Sequence, residues 1–91
     1  MLYAIICIDK PGALEIRKEN REAHLRHIKS TDGAIQQAGP FLDDAGEMRG
    51  SLLIYAAEDR SEVEAWAAAD PYAEAGLFQS VEIRAWKRVV G

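Results

Sequence analysis

A single cysteine, Cys7, stands among the 91 residues, so no disulfide can form within the chain. No Cys/His cluster has zinc-finger spacing, and His24-x-x-His27 lacks a third ligand, so no metal is expected. An excess of positive charge is also missing: 11 Lys and Arg stand against 15 Asp and Glu, for a formal net charge of −4. Nucleic acids and anionic membranes attract proteins through a positive field, so neither is an expected partner. Hydrophobic runs are short. The run after Met1, Leu2 to Ile8, is too short for a secretory apolar core with its cleavage site and far too short to span a bilayer, so a cytoplasmic location is expected. A Gly-rich phosphate loop, a dinucleotide fingerprint, low-complexity segments, linkers and close internal repeats are all lacking, and no cofactor is expected.

What is present is a globular composition, 48% hydrophobic and 29% charged, which argues against disorder. The length suits one domain, residues 1–91, near the lower limit for a self-sufficient core. Leu2 to Asp9 reads as a strand closed by the turn signal Lys10-Pro11-Gly12. Ala13 to about Ser30 holds good helix formers and no internal Gly or Pro, and Thr31-Asp32-Gly33 breaks it. Ala34 to Leu42 reads as a second strand, at an edge or bulged because of Pro40. Asp43 to Gly50 is a polar loop and Ser51 to Ala57 a third strand. Ser61 and Glu64 form a capping box for a helix running to about Ala69, which Asp70-Pro71-Tyr72 stops. Ala73 to Phe78 supplies one further turn, and Ser80 to Val90 the last strand. The order β-α-β-β-α-β predicts an α+β, ferredoxin-like fold: a four-stranded antiparallel sheet with two helices on one face.

Alternation along the strands carries a consequence. Leu2, Ala4, Ile6 and Ile8 share one face of the first strand, with Tyr3, Ile5 and Cys7 on the other; Leu52, Ile54 and Ala56 likewise oppose Leu53 and Tyr55. Two helices cover one face only, and a solvated second face should read polar. A homodimer packed sheet to sheet is therefore expected; a 43–50 loop folded over the sheet is the alternative.

The first helix places polar groups on its inward side. Leu14, Leu25 and Ile28 mark the core-facing stripe, while Glu15, Glu19, Glu22, Arg26 and Lys29 lie opposite. Arg17, Arg21 and His24 form an i, i+4, i+7 row in or beside the stripe, whereas His27 points away from it. Buried charge requires a partner, and the candidates are Asp9, Asp43, Asp44 and Asp70, of which Asp70 has its backbone fixed by the following Pro-Tyr. A histidine oriented by a carboxylate is a proton-transfer pair, and arginines bind carboxylate or enolate oxygens. The same row also fits two snorkelling arginines and a satisfied core histidine. Cys7 reads as a small buried hydrophobe, and Trp66 and Trp86 as packing residues.

In order and spacing, Met1-Leu2-Tyr3, Arg17-x-x-x-Arg21-x-x-His24-Leu25, Ala38-Gly39-Pro40, Gly50-Ser51, Asp70-Pro71-Tyr72 with Gly76-Leu77-Phe78, and Val81-Glu82-Ile83 with Trp86-Lys87 resemble the YciI-like (YCII-related) family across essentially the whole chain. The resemblance implies a dimeric α/β barrel with an active site at His24 and Asp70. It places Ser51, Arg17 and Arg21 in the same pocket, joined by Tyr72 as a substrate-binding residue. A lyase-like role on small ring compounds is attached to some members, and related dimeric barrels include isomerases and oxygenases. The resulting expectation is a cofactor-independent enzyme using a His/Asp acid–base pair on a small anionic or ring substrate. The alternative is a non-catalytic ligand-binding or accessory dimerisation module.

Overall fold

Side-chain alternation along four strands sets the architecture. In the computed structural model, which describes residues 1–91, β1 (Leu2–Asp9), β2 (Ile35–Leu42), β3 (Met48–Ala56) and β4 (Phe78–Trp86) form one antiparallel sheet. The strand order is β2-β3-β1-β4. The helices are α1 (Leu14–Lys29), α2 (Arg60–Ala68) and the single turn α3 (Pro71–Glu74), which together complete the ferredoxin-like β-α-β-β-α-β order.

One face of the sheet carries the core. Tyr3, Ile5 and Cys7 of β1 lie beside Leu53 and Tyr55 of β3 and pack against Val63 and Trp66 of α2. A smaller cluster, Ala13, Tyr72 and Leu77, lies where α1 meets α3. The opposite face has no covering layer: Ile8 is 42% exposed, Leu52 37%, Phe41 37% and Trp86 39%. The connection between β2 and β3 does not fold over it. β3 begins at Met48, earlier than the loop reading of 43–50 requires, and the remaining turn closes on itself as Asp43 N–H donates to the Glu47 carbonyl and Gly46 N–H to that of Asp43.

β2 is an edge strand, as Pro40 requires, but its irregularities fall between Ile35 and Gln37 and between Phe41 and Leu42 rather than at the proline. Pro40 pairs in register with Ser51. An edge strand leaves one side of its backbone unpaired, which accommodates the missing N–H. Gly50 is required by close approach: a side chain there would collide with the Cys7 carbonyl on the neighbouring strand.

The start of α2 differs from the capping-box reading. Asp59, not Ser61, is the N-cap, and its carboxylate accepts from Glu62 N–H at 3.2 Å. The Ser61 hydroxyl donates to the same carboxylate. A carboxylate both accepts strongly and complements the positive end of the helix, so it displaces the serine hydroxyl from the capping role. Asp59→Ala should cost about 1 kcal/mol in urea denaturation. Ser61→Ala should cost clearly less, and equal losses would restore the capping box.

Candidate active site

Two element ends, one residue within β3 and one helix row converge on one place. Alternation turns Asp9, the last residue of β1, toward the helices, and the register shift between Ile8 and Asp9 re-aims the chain there. Ser51 lies on the same side of β3, opposite Cys7. Asp70 precedes Pro71, adopts extended geometry (φ −60°, ψ 127°), and caps α3 by accepting from Tyr72 N–H at 2.9 Å. α1 supplies Arg17 and His24, both buried, and Arg21, which is exposed.

The buried charges are paired. Arg17 Nε and Nη2 donate to the two Asp9 carboxylate oxygens at 2.8 and 2.9 Å, and Nη2 also donates to Ser51 Oγ at 3.0 Å. His24 Nδ1 lies 2.9 and 3.1 Å from the two oxygens of Asp70. The His24 ring stacks on Tyr72, with centroids 4.0 Å apart and planes inclined by 16°, and the Arg17 guanidinium lies 4.8 Å from the centre of the Tyr72 ring. Burial works against the charge of Arg17, but its bonds to Asp9 and the Asp9 charge outweigh this and hold its pKa above the ordinary value. Burial raises the Tyr72 phenol against the lowering pull of Arg17 and Arg21, so it remains a protonated donor at neutral pH.

A cavity of about 160 Å³ opens over this cluster. Arg17, Arg21, His24, Ser51 and Tyr72 line it, with Ala38, Gly39 and Pro40 of β2 forming part of its apolar wall. Asp70 lies behind His24. With Nδ1–H donated to a carboxylate, the neutral imidazole keeps a lone pair on Nε2. No buried side-chain nitrogen or oxygen lacks a partner, and Nε2 has none within the chain, so Nε2 is open to the cavity.

The structure thus brings Arg17, Arg21, His24, Ser51, Asp70 and Tyr72 to one place. Among the four aspartates weighed for the row, Asp70 meets His24, Asp9 meets Arg17, and Asp43 pairs with Arg49 in the β2–β3 turn, while Asp44 is exposed. Leu25 lines the cavity and is exposed rather than forming core. His27 is not simply solvated: it stacks on Trp66 and its Nε2 lies 2.9 Å from the Trp66 carbonyl. The Asp9–Arg17 pairing and the stacking of Tyr72 under His24 escape helical periodicity because both bridge separate elements. Their nearest sequence signals are a carboxylate at a strand end and the Asp-Pro-Tyr turn.

A family model for the YCII-related domain matches residues 1–87. The chain belongs to the YCII-related family. This YCII-related chain is 36% identical to protein YciI of Escherichia coli over 98% of its own length and 99% of that protein. It is also similar in structure to 5-chloro-2-hydroxyhydroquinone dehydrochlorinase (TftG) from Burkholderia phenoliruptrix in complex with 2,5-dihydroxybenzoquinone. The two share a TM-score of 0.88 and 38% identity over 96% of this chain and 94% of that one. A NIPSNAP family protein from Agrobacterium tumefaciens, at 22% identity and a TM-score of 0.55 over 91% of this chain and 87% of its own, shares the fold alone.

Cys7 lies beneath the YCII-related site. Burial first, then the charge of Asp70, pushes its thiol up from 9.0 to about 12. An unfolded chain releases this proton near pH 9 while the folded chain keeps it, so stability falls as pH rises from about 9 toward about 12, by about 1.4 kcal/mol per unit from this group. Urea denaturation at pH 8 and pH 10 should show a smaller loss in Cys7→Ala than in the parent chain.

Proposed function

We propose that this chain is a cofactor-independent acid–base enzyme of lyase or isomerase type, acting as a single 1–91 domain on a small, oxygen-bearing ring substrate. One observation carries the reading: His24 Nδ1 is held by Asp70 while Nε2 faces a cavity whose other polar side chains are donors. A base set among donors suits a reaction in which a proton leaves the substrate and negative charge grows on an adjacent oxygen. His24 takes the proton, Asp70 fixes the ring and stabilises the imidazolium, and Ser51, Tyr72 and Arg21 bind the oxygen.

The dehydrochlorinase likeness gives this reading a trial reaction. In loss of HCl from a keto tautomer, in which one hydroxyl proton has moved to the chlorine-bearing carbon, the proton of a second hydroxyl goes to Nε2, its bonding pair moves into the ring system, and chloride leaves with the C–Cl pair. Such a step needs no oxidant or reductant, which is why no cofactor is invoked. Chloride release from 5-chloro-2-hydroxyhydroquinone tests it. His24→Ala should lower kcat by on the order of 100-fold or more, and Asp70→Asn should lower it less, both with folding intact. Turnover unchanged in His24→Ala would remove the base from the mechanism. Ligand binding without any turnover would favour the non-catalytic binding module.

The uncovered sheet face supports a homodimer packed through that face. Ile8, Leu52, Phe41 and Trp86 stand on it beside the partly buried Ile6, and neither helix covers them. Light scattering should give twice the chain mass of 10.1 kDa, and Leu52→Lys should return it to the monomer value. A parent chain of monomer mass would refute the dimer.

A further inference from the structure

We propose that Asp9 and Arg17 are positioning residues for Ser51, and that together they hold its hydroxyl as a donor to a deprotonated oxygen of the ligand. The proposal rests on reading the cavity as a ligand site and assigns work to Asp9, which does not line it. Arginine carries only donors, so in the 3.0 Å contact with Arg17 Nη2 the Ser51 oxygen accepts. The hydroxyl proton must then point away from Arg17. Ser51 is buried and lines the cavity, and its proton meets no acceptor within the chain. A hydroxyl that accepts from a cation is polarised into a stronger donor.

Asp9 sets this arrangement from behind. Its two oxygens grip Nε and Nη2 of Arg17, which fixes the guanidinium plane and so the direction from which Ser51 is approached. Arg21, at the cavity and without an ion pair of its own, adds charge for the same oxygen. The ligand class that fits is an enolate or phenolate. A neutral hydroxyl can also accept from Ser51, but an anionic oxygen accepts more strongly and complements the charge of Arg17 and Arg21.

The test is a double-mutant cycle on binding of 2,5-dihydroxybenzoquinone, measured calorimetrically with the parent chain, Ser51→Ala, Asp9→Asn and the double variant. Ser51→Ala should weaken binding by on the order of 10-fold, since a hydrogen bond to a charged group is lost. Asp9→Asn should weaken it several-fold, and the double variant should bind no more weakly than Ser51→Ala alone, because Asp9 acts through the hydroxyl. Should Asp9→Asn fail to fold, Asp9→Glu, which keeps the charge and shifts it by one methylene, takes its place in the cycle. Equal losses from the Asp9 change in both backgrounds, or no loss in either, would overturn the proposal while leaving the site reading intact. Failure of the parent chain to bind the probe would overturn that reading and this one with it.

Discussion

The desolvation of charge beneath α1 is the constraint around which this molecule is arranged. A helix face that would ordinarily be apolar carries Arg17 and His24, and both are buried. Leaving either without a partner would be costly; breaking a buried ion pair typically removes about 3–5 kcal/mol, a large share of a small domain's stability. The chain meets this demand with carboxylates at element ends: Asp9 closes β1 and Asp70 opens α3. Those two ends are thereby tied to α1, and the absence of any unpartnered buried side-chain polar atom shows that the arrangement is complete. An apolar substitute of the same shape would serve stability as well or better. Stability alone therefore does not explain why these charges are retained.

Sheet architecture imposes a second constraint. Two helices and one extra turn occupy one face, so every strand must bury its apolar residues there or leave them open. β1 and β3 are apolar on both faces; the helix-facing set, Tyr3, Ile5, Cys7, Leu53 and Tyr55, forms the core, while on the open face Ala4 and Ile54 are buried but Ile8 and Leu52 remain exposed. β4 behaves differently on the open side: Glu82 and Arg84 pair at 2.6 Å and interrupt the apolar surface along that edge, leaving Trp86 at its end.

Much of this was legible in the chain because two periodicities, 2.0 and 3.6, decide most of the fold. The strands, α1 and the α2 stop at Asp70-Pro71 follow from them, as does the presence of Arg17 and His24 on the inward side. What escaped was governed by competition between neighbours. Asp59 and Ser61 both suit a cap, and sequence alone does not show that Asp59 takes the Glu62 N–H while the Ser61 hydroxyl is spent as a donor to the same carboxylate. His27 points away from the apolar stripe, yet α2 brings Trp66 to it; that meeting depends on how two helices pack, not on either helix alone. The pairing of Asp9 with Arg17 and of Asp70 with His24 likewise required the fold, since four aspartates satisfied the same electrostatic demand on paper.

The place of β2 links the site to the open face. Ala38, Gly39 and Pro40 line the cavity over His24 and also a second, shallower cavity bordered by Gln37, Phe41, Leu52 and Ile54 on the uncovered side. At this point the wall between the two is a single edge strand of small or ring-closed residues; a side chain built at Gly39 would meet nothing within 4 Å. A wall of that kind has little packing of its own to hold it, and edge strands owe their rigidity to whatever lies against them. A second copy seated on the open face would press on the back of this strand and stiffen one side of the cavity. Association through the sheet and the shape of the cavity would then be one problem: a surface that hid Leu52 and Phe41 from water would also steady the wall opposite His24.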